Sequence, residues 1–213
     1  MKPSSSTRKE AVVMANDTLI DSRRSPAAHL QQVMAEASVA GGLALGEVAF
    51  TTQISVRCAP GSAGYEALAA ATGVGLPNKV GQVAGEVNGV AVLWLGPDEF
   101  LVTAPEDTTL LAKLEQALGD APGQVVDLSA NRAGLELSGT KAPLVLRKSC
   151  PADLHPRSFA VNQAITTSLA NIPVLLWRTG EESWRIMPRA SFTEHTVHWL
   201  IDAMLEFASN PVI

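Results

Sequence analysis

Two stretches of this chain pass through the same succession of hydrophobic periods, and that recurrence restricts its possible folds more than any motif does. From Glu47 the apolar residues fall on alternate positions, including Phe50, Ile54 and Val56, which predicts a strand over Val48–Cys58. A helix follows at Gly61–Ala71, with Tyr65, Leu68 and Ala69 on one face. A tight Asn88-Gly89 turn then joins strands at Gln82–Glu86 and Val90–Trp94, because an Asn-Gly pair readily adopts the positive φ angles of a two-residue hairpin. Gly96-Pro97-Asp98 turns into a third strand, Glu99–Thr103. Glu106–Leu118 closes the stretch as a helix burying Leu110, Leu111, Leu114 and Leu118.

The second stretch begins at Val125 with a strand, a turn, a second strand carrying Leu135 and Leu137, and a short helix. Strands at Ile172–Arg178 and Ser183–Met187 flank a Gly180 turn, and a helix at Glu194–Phe207 ends it. An offset of roughly 81 to 83 residues lays Trp94 on Trp177, Asp98-Glu99 on Glu181-Glu182 and Pro105 on Pro188. Two β-α-β-β-β-α units of this kind imply an internally duplicated α+β protein with largely antiparallel sheets, not a doubly wound parallel fold. The repeats are expected over about 47–120 and 124–208, within one domain covering 25–213.

The first 24 residues are Ser-rich and charged, with too little apolar surface to offset the entropy of ordering, so they are expected to form a tail, with Met14 an alternative start. Ser25-Pro26 reads as an N-cap followed by proline at the first helical position, for a helix Pro26–Ala40 stopped by Gly41-Gly42. The apolar fraction of 46% is enough for a large core. A net charge of −5 without a basic block argues against nucleic acid as the main partner. No apolar run approaches the ~20 residues of a membrane span, and the early run Ala11–Ala15 is shorter than a signal peptide's apolar region. The two cysteines, Cys58 and Cys150, suit a reducing compartment, so a cytoplasmic location is expected.

Motifs that suggest chemistry are weak. Gly73-x-Gly75 lacks the third glycine of a dinucleotide fingerprint, with Asn78 in its place and Pro77 where the helix should begin. Gly134-x-x-x-x-Gly139-Thr140-Lys141 has the wrong residue order for a phosphate loop and contains strand residues Leu135 and Leu137. His195 and His198 lie one helical turn apart without a third ligand nearby, and His29 has no companion, so no metal site is expected. Cys150, Asp153 and His155 form the densest reactive cluster, and a thiolate–imidazole pair could act as a nucleophile. They crowd into six residues flanked by Pro151 and Pro156, which favours a rigid loop held by local backbone bonds. No catalytic or cofactor-binding residue is therefore assigned, and the loop is expected at or near a subunit contact. Trp94, Trp177, Trp184 and Trp199 could also contribute to an interface, with core packing as the alternative.

Several strings together resemble one family. Asp127-Leu128-Ser129 with Arg132, Leu135–Gly139, Ala142, the Cys150–Pro156 run, Trp94–Phe100, Arg24-Ser25-Pro26 and Ser191-Phe192 are similar to the gamma subunit of heterotetrameric sarcosine oxidase. The resemblance runs from about Arg23 to the C-terminus. It implies a fold like the folate-binding domain of the glycine-cleavage aminomethyltransferase, and an assembly with alpha, beta and delta subunits. It also implies an assembly that oxidises sarcosine to glycine, formaldehyde and hydrogen peroxide, or to methylene-tetrahydrofolate when tetrahydrofolate is present. By that resemblance FAD, covalent FMN and NAD belong to alpha and beta and zinc to delta, with no cofactor in this chain. The aminomethyltransferases use an acidic residue in the strand after the glycine turn. Here Val90–Trp94 carries none before Asp98, so the resemblance implies a non-catalytic chain packed mainly on alpha. A free-standing folate-binding one-carbon transferase is the alternative.

Overall fold

The computed structural model describes residues 22–38 and 42–208, and the statements below concern these. Most of the expected tail and the Gly41 helix stop lie outside them. The first half contains β2 (Thr52–Arg57), α2 (Ala63–Thr72), β3 (Val83–Gly85), β4 (Ala91–Gly96), β5 (Glu99–Ala104) and α3 (Leu110–Leu118). The second repeats the order with β7 (Leu135–Ser138), α4 (Ala142–Arg147), β8 (Gln163–Leu169), β9 (Ile172–Arg178), β10 (Ser183–Pro188) and α5 (Thr193–Ala208). Each half is preceded by a short strand, β1 (Ala44–Glu47) and β6 (Gln124–Asp127), and α1 (Gln31–Ala37) comes before both. The fold is α+β and internally duplicated, with two antiparallel five-stranded sheets.

The two leading strands are exchanged. Sheet order is β3-β4-β5-β2-β6 in one sheet and β1-β7-β10-β9-β8 in the other. The strand that precedes the first half therefore pairs with β7 of the second, Leu45 opposite Leu137. The strand that precedes the second half pairs with β2 of the first, Val125 opposite Val56.

The sheets stack face to face. Leu93, Leu101, Leu175, Trp177 and Met187 meet in the core between them, with Trp177 wholly buried. Alternate residues point outward onto helices, because successive side chains of a strand face opposite sides. Ile54, Val56, Val92, Phe100 and Val102 pack with Leu68 of α2 and Leu110 and Leu114 of α3. Leu135, Leu137, Leu176, Trp184 and Ile186 pack with Met34, Val145, Val197 and Leu200. Helices thus cover the outer face of each sheet.

This geometry corrects several sequence expectations. Trp94 and Trp177 are not equivalent: Trp94 lies against the helix-side core, while Trp177 lies between the sheets. Cross-strand register instead equates Leu93, opposite Leu101, with Trp177, opposite Arg185. A one-residue slip of alignment moves a side chain to the other face. Trp177 and Trp184 are fully buried, so neither can serve as an exposed interface residue. The expected strand Val48–Cys58 shortens to β2, Thr52–Arg57, after the turn that follows β1, and Phe50 sits in that turn at φ 53° rather than in the core. The first helix is shorter than Pro26–Ala40. Ser25 does not cap it, because its hydroxyl is drawn to Glu47. The last helix of the first half starts at Leu110, not Glu106, after an Asp107–Thr109 turn.

Gly139 closes β7 at φ 118°, and a Cβ there would lie 2.0 Å from the Gly42 carbonyl oxygen. Gly139→Ala should lower unfolding free energy in urea by about 3 kcal/mol or more, since strain and a backbone clash add. An unchanged midpoint would show that the approach of β1 to β7 does not depend on this glycine.

Candidate functional site

Strand exchange makes two connections cross, residues 48–51 between β1 and β2 and residues 128–134 between β6 and β7. They are sewn together by backbone contacts. Val48 N donates to Gly134 O at 2.7 Å, and Leu128 N donates to Gln53 O at 2.8 Å. Gln53 N donates to Ser129 Oγ at 3.0 Å, and Gln53 Nε2 donates to Arg132 O at 3.0 Å. A Cβ on Gly134 would come within 3.0 Å of Val48 O, so glycine keeps the crossing close.

Beside the crossing opens a cavity of about 600 Å³. Arg23, Glu47, Phe50, Glu106, Asp107, Asp127 and Arg132 line it, among others. Most of its charges are engaged. Glu47 accepts from the Ser25 hydroxyl at 2.5 Å and from Ala27 N at 2.9 Å. Arg23 pairs with Glu106 and lies over the Phe50 ring, 4.8 Å from its centre. Arg23, expected in the tail, is therefore tied to the fold. Asp107 Oδ1 accepts from Thr109 N and Oγ1, and the Thr109 hydroxyl above all holds its carboxyl below the usual range. Asp127 Oδ1 accepts from Ser129 N at 2.8 Å and Oγ at 2.6 Å. Arg132 is less well served. Its Nη1 donates to Met187 O at 3.3 Å, and burial, then the nearby Arg189 charge, lowers its pKa.

The Cys150 loop is a different place with different chemistry. Asp153 Oδ1 accepts from His155 N at 3.0 Å and Oδ2 from the Ser158 hydroxyl at 2.6 Å. His155 Nδ1 accepts from Arg157 N at 3.2 Å. The Cys150 thiol is buried and its polar neighbour is Thr167 Oγ1 at 3.8 Å, not the imidazole. Asp153 and His155 each serve their own loop, whose backbone they fold. Leu154 and Phe159 anchor that loop in the core, leaving Asp153, His155 and Pro156 exposed.

The other sequence candidates also have local roles. His195 Nε2 lies 3.1 Å from Ala170 O, and the exposed His198 lies 3.9 Å from Glu194. Among the described residues no group of three or more His, Cys, Asp or Glu side chains is placed to hold a metal. No helix of the structure is long and apolar enough to cross a membrane. Gly73 ends α2 at φ 77° in the left-handed region. Asp98 belongs to the β4–β5 turn, whereas Glu99 starts β5 and pairs with Arg57 at 2.7 Å. The cavity residues were not singled out for chemistry by sequence. Their one signal was the Asp127-Leu128-Ser129 and Arg132 string, which marked a resemblance only.

Comparison with known proteins agrees with that string. Residues 58–206 match the model of the "Sarcosine oxidase, gamma subunit family". The chain is 71% identical over 202 residues to sarcosine oxidase subunit gamma of Corynebacterium sp. (strain P-1), covering 93% of this chain and 100% of that protein. It is 68% identical over 202 residues to the Arthrobacter sp. gamma subunit, with the same coverage. A chain of the heterotetrameric sarcosine oxidase from Corynebacterium sp. U-96, solved with pyrrole 2-carboxylate, superposes with a TM-score of 0.88 at 70% identity, over 90% of this chain and 99% of that one. The glycine cleavage system aminomethyltransferase T of Bartonella henselae shares the fold, with a TM-score of 0.56 at 21% identity over 76% of this chain and 46% of that one.

The Cys150 loop gives a pH prediction. Hydrogen bonds from Ser158 and from the His155 amide hold the Asp153 carboxyl below its usual 3.8. A depressed carboxyl contributes order that is complete above its unfolded pKa and lost as pH falls through the folded value. The His155 amide resonance should therefore titrate with a midpoint below 3.8 in an NMR pH series. A midpoint at or above that value would contradict the hydrogen-bonded loop.

Proposed function

The chain belongs to the sarcosine oxidase gamma subunit family, and from that premise we propose that it is a non-catalytic subunit that supports the assembled oxidase by packing mainly against the alpha subunit. The observation that carries this reading is its likeness, at 70% identity and nearly full length, to a chain of a heterotetrameric sarcosine oxidase. The oxidase is an oxidoreductase, and the reaction proposed for it is demethylation of sarcosine to glycine with formaldehyde or methylene-tetrahydrofolate and hydrogen peroxide. FAD, FMN and NAD are proposed to sit in the alpha and beta subunits and zinc in delta, in a cytoplasmic complex. Residues 25–213 act in this reading as one domain of two repeats.

The absence of a thiol–imidazole contact at Cys150 supports a structural role, since nucleophile and base must come within hydrogen-bond reach. Strand β4, which follows the Asn88-Gly89 turn, reads Ala-Val-Leu-Trp-Leu-Gly without a carboxylate, which weighs against the folate-dependent transferase reading. Shared fold does not by itself transfer chemistry.

Asp153 and His155 are exposed on a loop that their own hydrogen bonds keep rigid, so the surface is presented without an ordering cost at binding. We place a subunit contact there, with Cys150 as its buried anchor. Combined Asp153→Ala and His155→Ala substitution should reduce co-purification with the alpha subunit about tenfold while leaving turnover per assembled complex unchanged. Normal assembly with lowered turnover would move the loop from assembly to chemistry.

A further inference from the structure

The cavity at the crossing carries polar capacity that its own protein does not consume. Arg132 is half-buried, and a guanidinium has five N–H donors. Its side chain makes one contact, the 3.3 Å bond to Met187 O, and among the described residues no carboxylate pairs with it. Arg189, a like charge, is nearby, and the Glu99 carboxylate, paired with Arg57, acts on Arg132 only from beyond ion-pair distance. Donors left unmet in a partly desolvated site favour an anionic group that could take them.

The same connection supplies an acceptor. Asp127 spends only Oδ1 on Ser129, and its Oδ2 has no partner among the described residues. Asp127 and Arg132 stand at either end of the β6–β7 connection and both line the cavity. The apolar lining includes Val48 and Leu111, with Phe50 exposed beside them. Phe50 sits at φ 53°, a left-handed conformation that bulky residues rarely adopt, and it holds this ring in the cavity lining, where Arg23 stacks on it.

We propose that this cavity binds a zwitterionic amino acid with an apolar side chain, its carboxylate on Arg132, its ammonium on Asp127 and its side chain against Val48 and Leu111. Three arginines and four carboxylates line the space, so it is close to charge balance. A doubly charged anion would meet Glu47, Glu106 and Asp107, whereas a zwitterion adds no net charge and uses both unspent groups. The volume of about 600 Å³ lies in the range of small-molecule sites and leaves room for a side chain larger than a methyl group. The proposal does not depend on how the chain assembles with its partners.

The test is titration calorimetry of the full-length chain at constant ionic strength with L-leucine as probe. N-acetyl-leucine lacks the ammonium, leucine amide lacks the carboxylate, and inorganic phosphate reports general anion binding. L-leucine should bind saturably, and each of the three others at least tenfold more weakly. Arg132→Gln should abolish leucine binding. Asp127→Asn, which keeps an Oδ1 acceptor for Ser129, should weaken it at least fivefold. Ala130→Trp, at an exposed wall position, should block the site with the fold intact, which keeps the test decisive if Arg132→Gln does not fold. No saturable leucine binding, equal affinity for phosphate or N-acetyl-leucine, or leucine binding unchanged by Asp127→Asn and Ala130→Trp would overturn the proposal.

Discussion

The exchange of β1 and β6 is the constraint on which the rest of this structure depends. Each strand is short, with four residues in register against its one neighbour, and each completes the sheet of the opposite half. Neither half therefore forms its full sheet from its own residues. The Leu93, Trp177 and Met187 core between the sheets binds the same halves together a second time. Two independent couplings of this kind make one cooperative unit from two similar ones. They also place the decisive contacts far apart in sequence, as with Leu45 opposite Leu137, which slows folding relative to local pairing.

Much of the architecture was legible because its signals are local. The Asn88-Gly89 hairpin, the Leu135 and Leu137 strand and the leucine-rich third helix each announce themselves within a few residues. What was hidden depends on distant partners. Strand β8 was not identified, since Gln163–Leu169 is an edge strand with only Ala164 and Leu169 fully buried and three hydroxyl residues between them. Strand β1 was missed because four residues carry almost no period and its partner lies some ninety positions away. Phe50 looked like a strand residue because apolar identity says nothing of a positive φ. The cavity was invisible for the same reason as β1: Arg23, Glu47, Asp107 and Arg132 converge only once the strands have been exchanged.

The strings that resemble a family turn out to mark unusual backbone. Trp94–Phe100 spans a register shift between Trp94 and Gly96, where the hairpin must bulge. Asp127 to Gly134 is the crossing connection, with a serine that bonds a distant strand and a glycine pressed against Val48. Cys150 to Pro156 is a connector whose acid and imidazole hold their own loop. In the last two, side-chain chemistry is used to fix the chain path. Reactive residue types are then poor guides to reactivity, because Asp153 and His155 are chosen for the backbone atoms they can reach.

The crossing also accounts for where unspent chemistry can survive. Two connections that pass between stacked sheets cannot be covered by the helices, which are committed to the outer faces by Leu68, Leu114, Met34 and Val197. Space is left beside them, and the backbone bonds that sew them together consume the amides but not every side chain. Glu47, Asp107 and Arg23 are drawn into that stitching, while Arg132 contributes its carbonyl to Gln53 and keeps most of its guanidinium. The geometry that completes both sheets is therefore the geometry that leaves a charged cavity beside them.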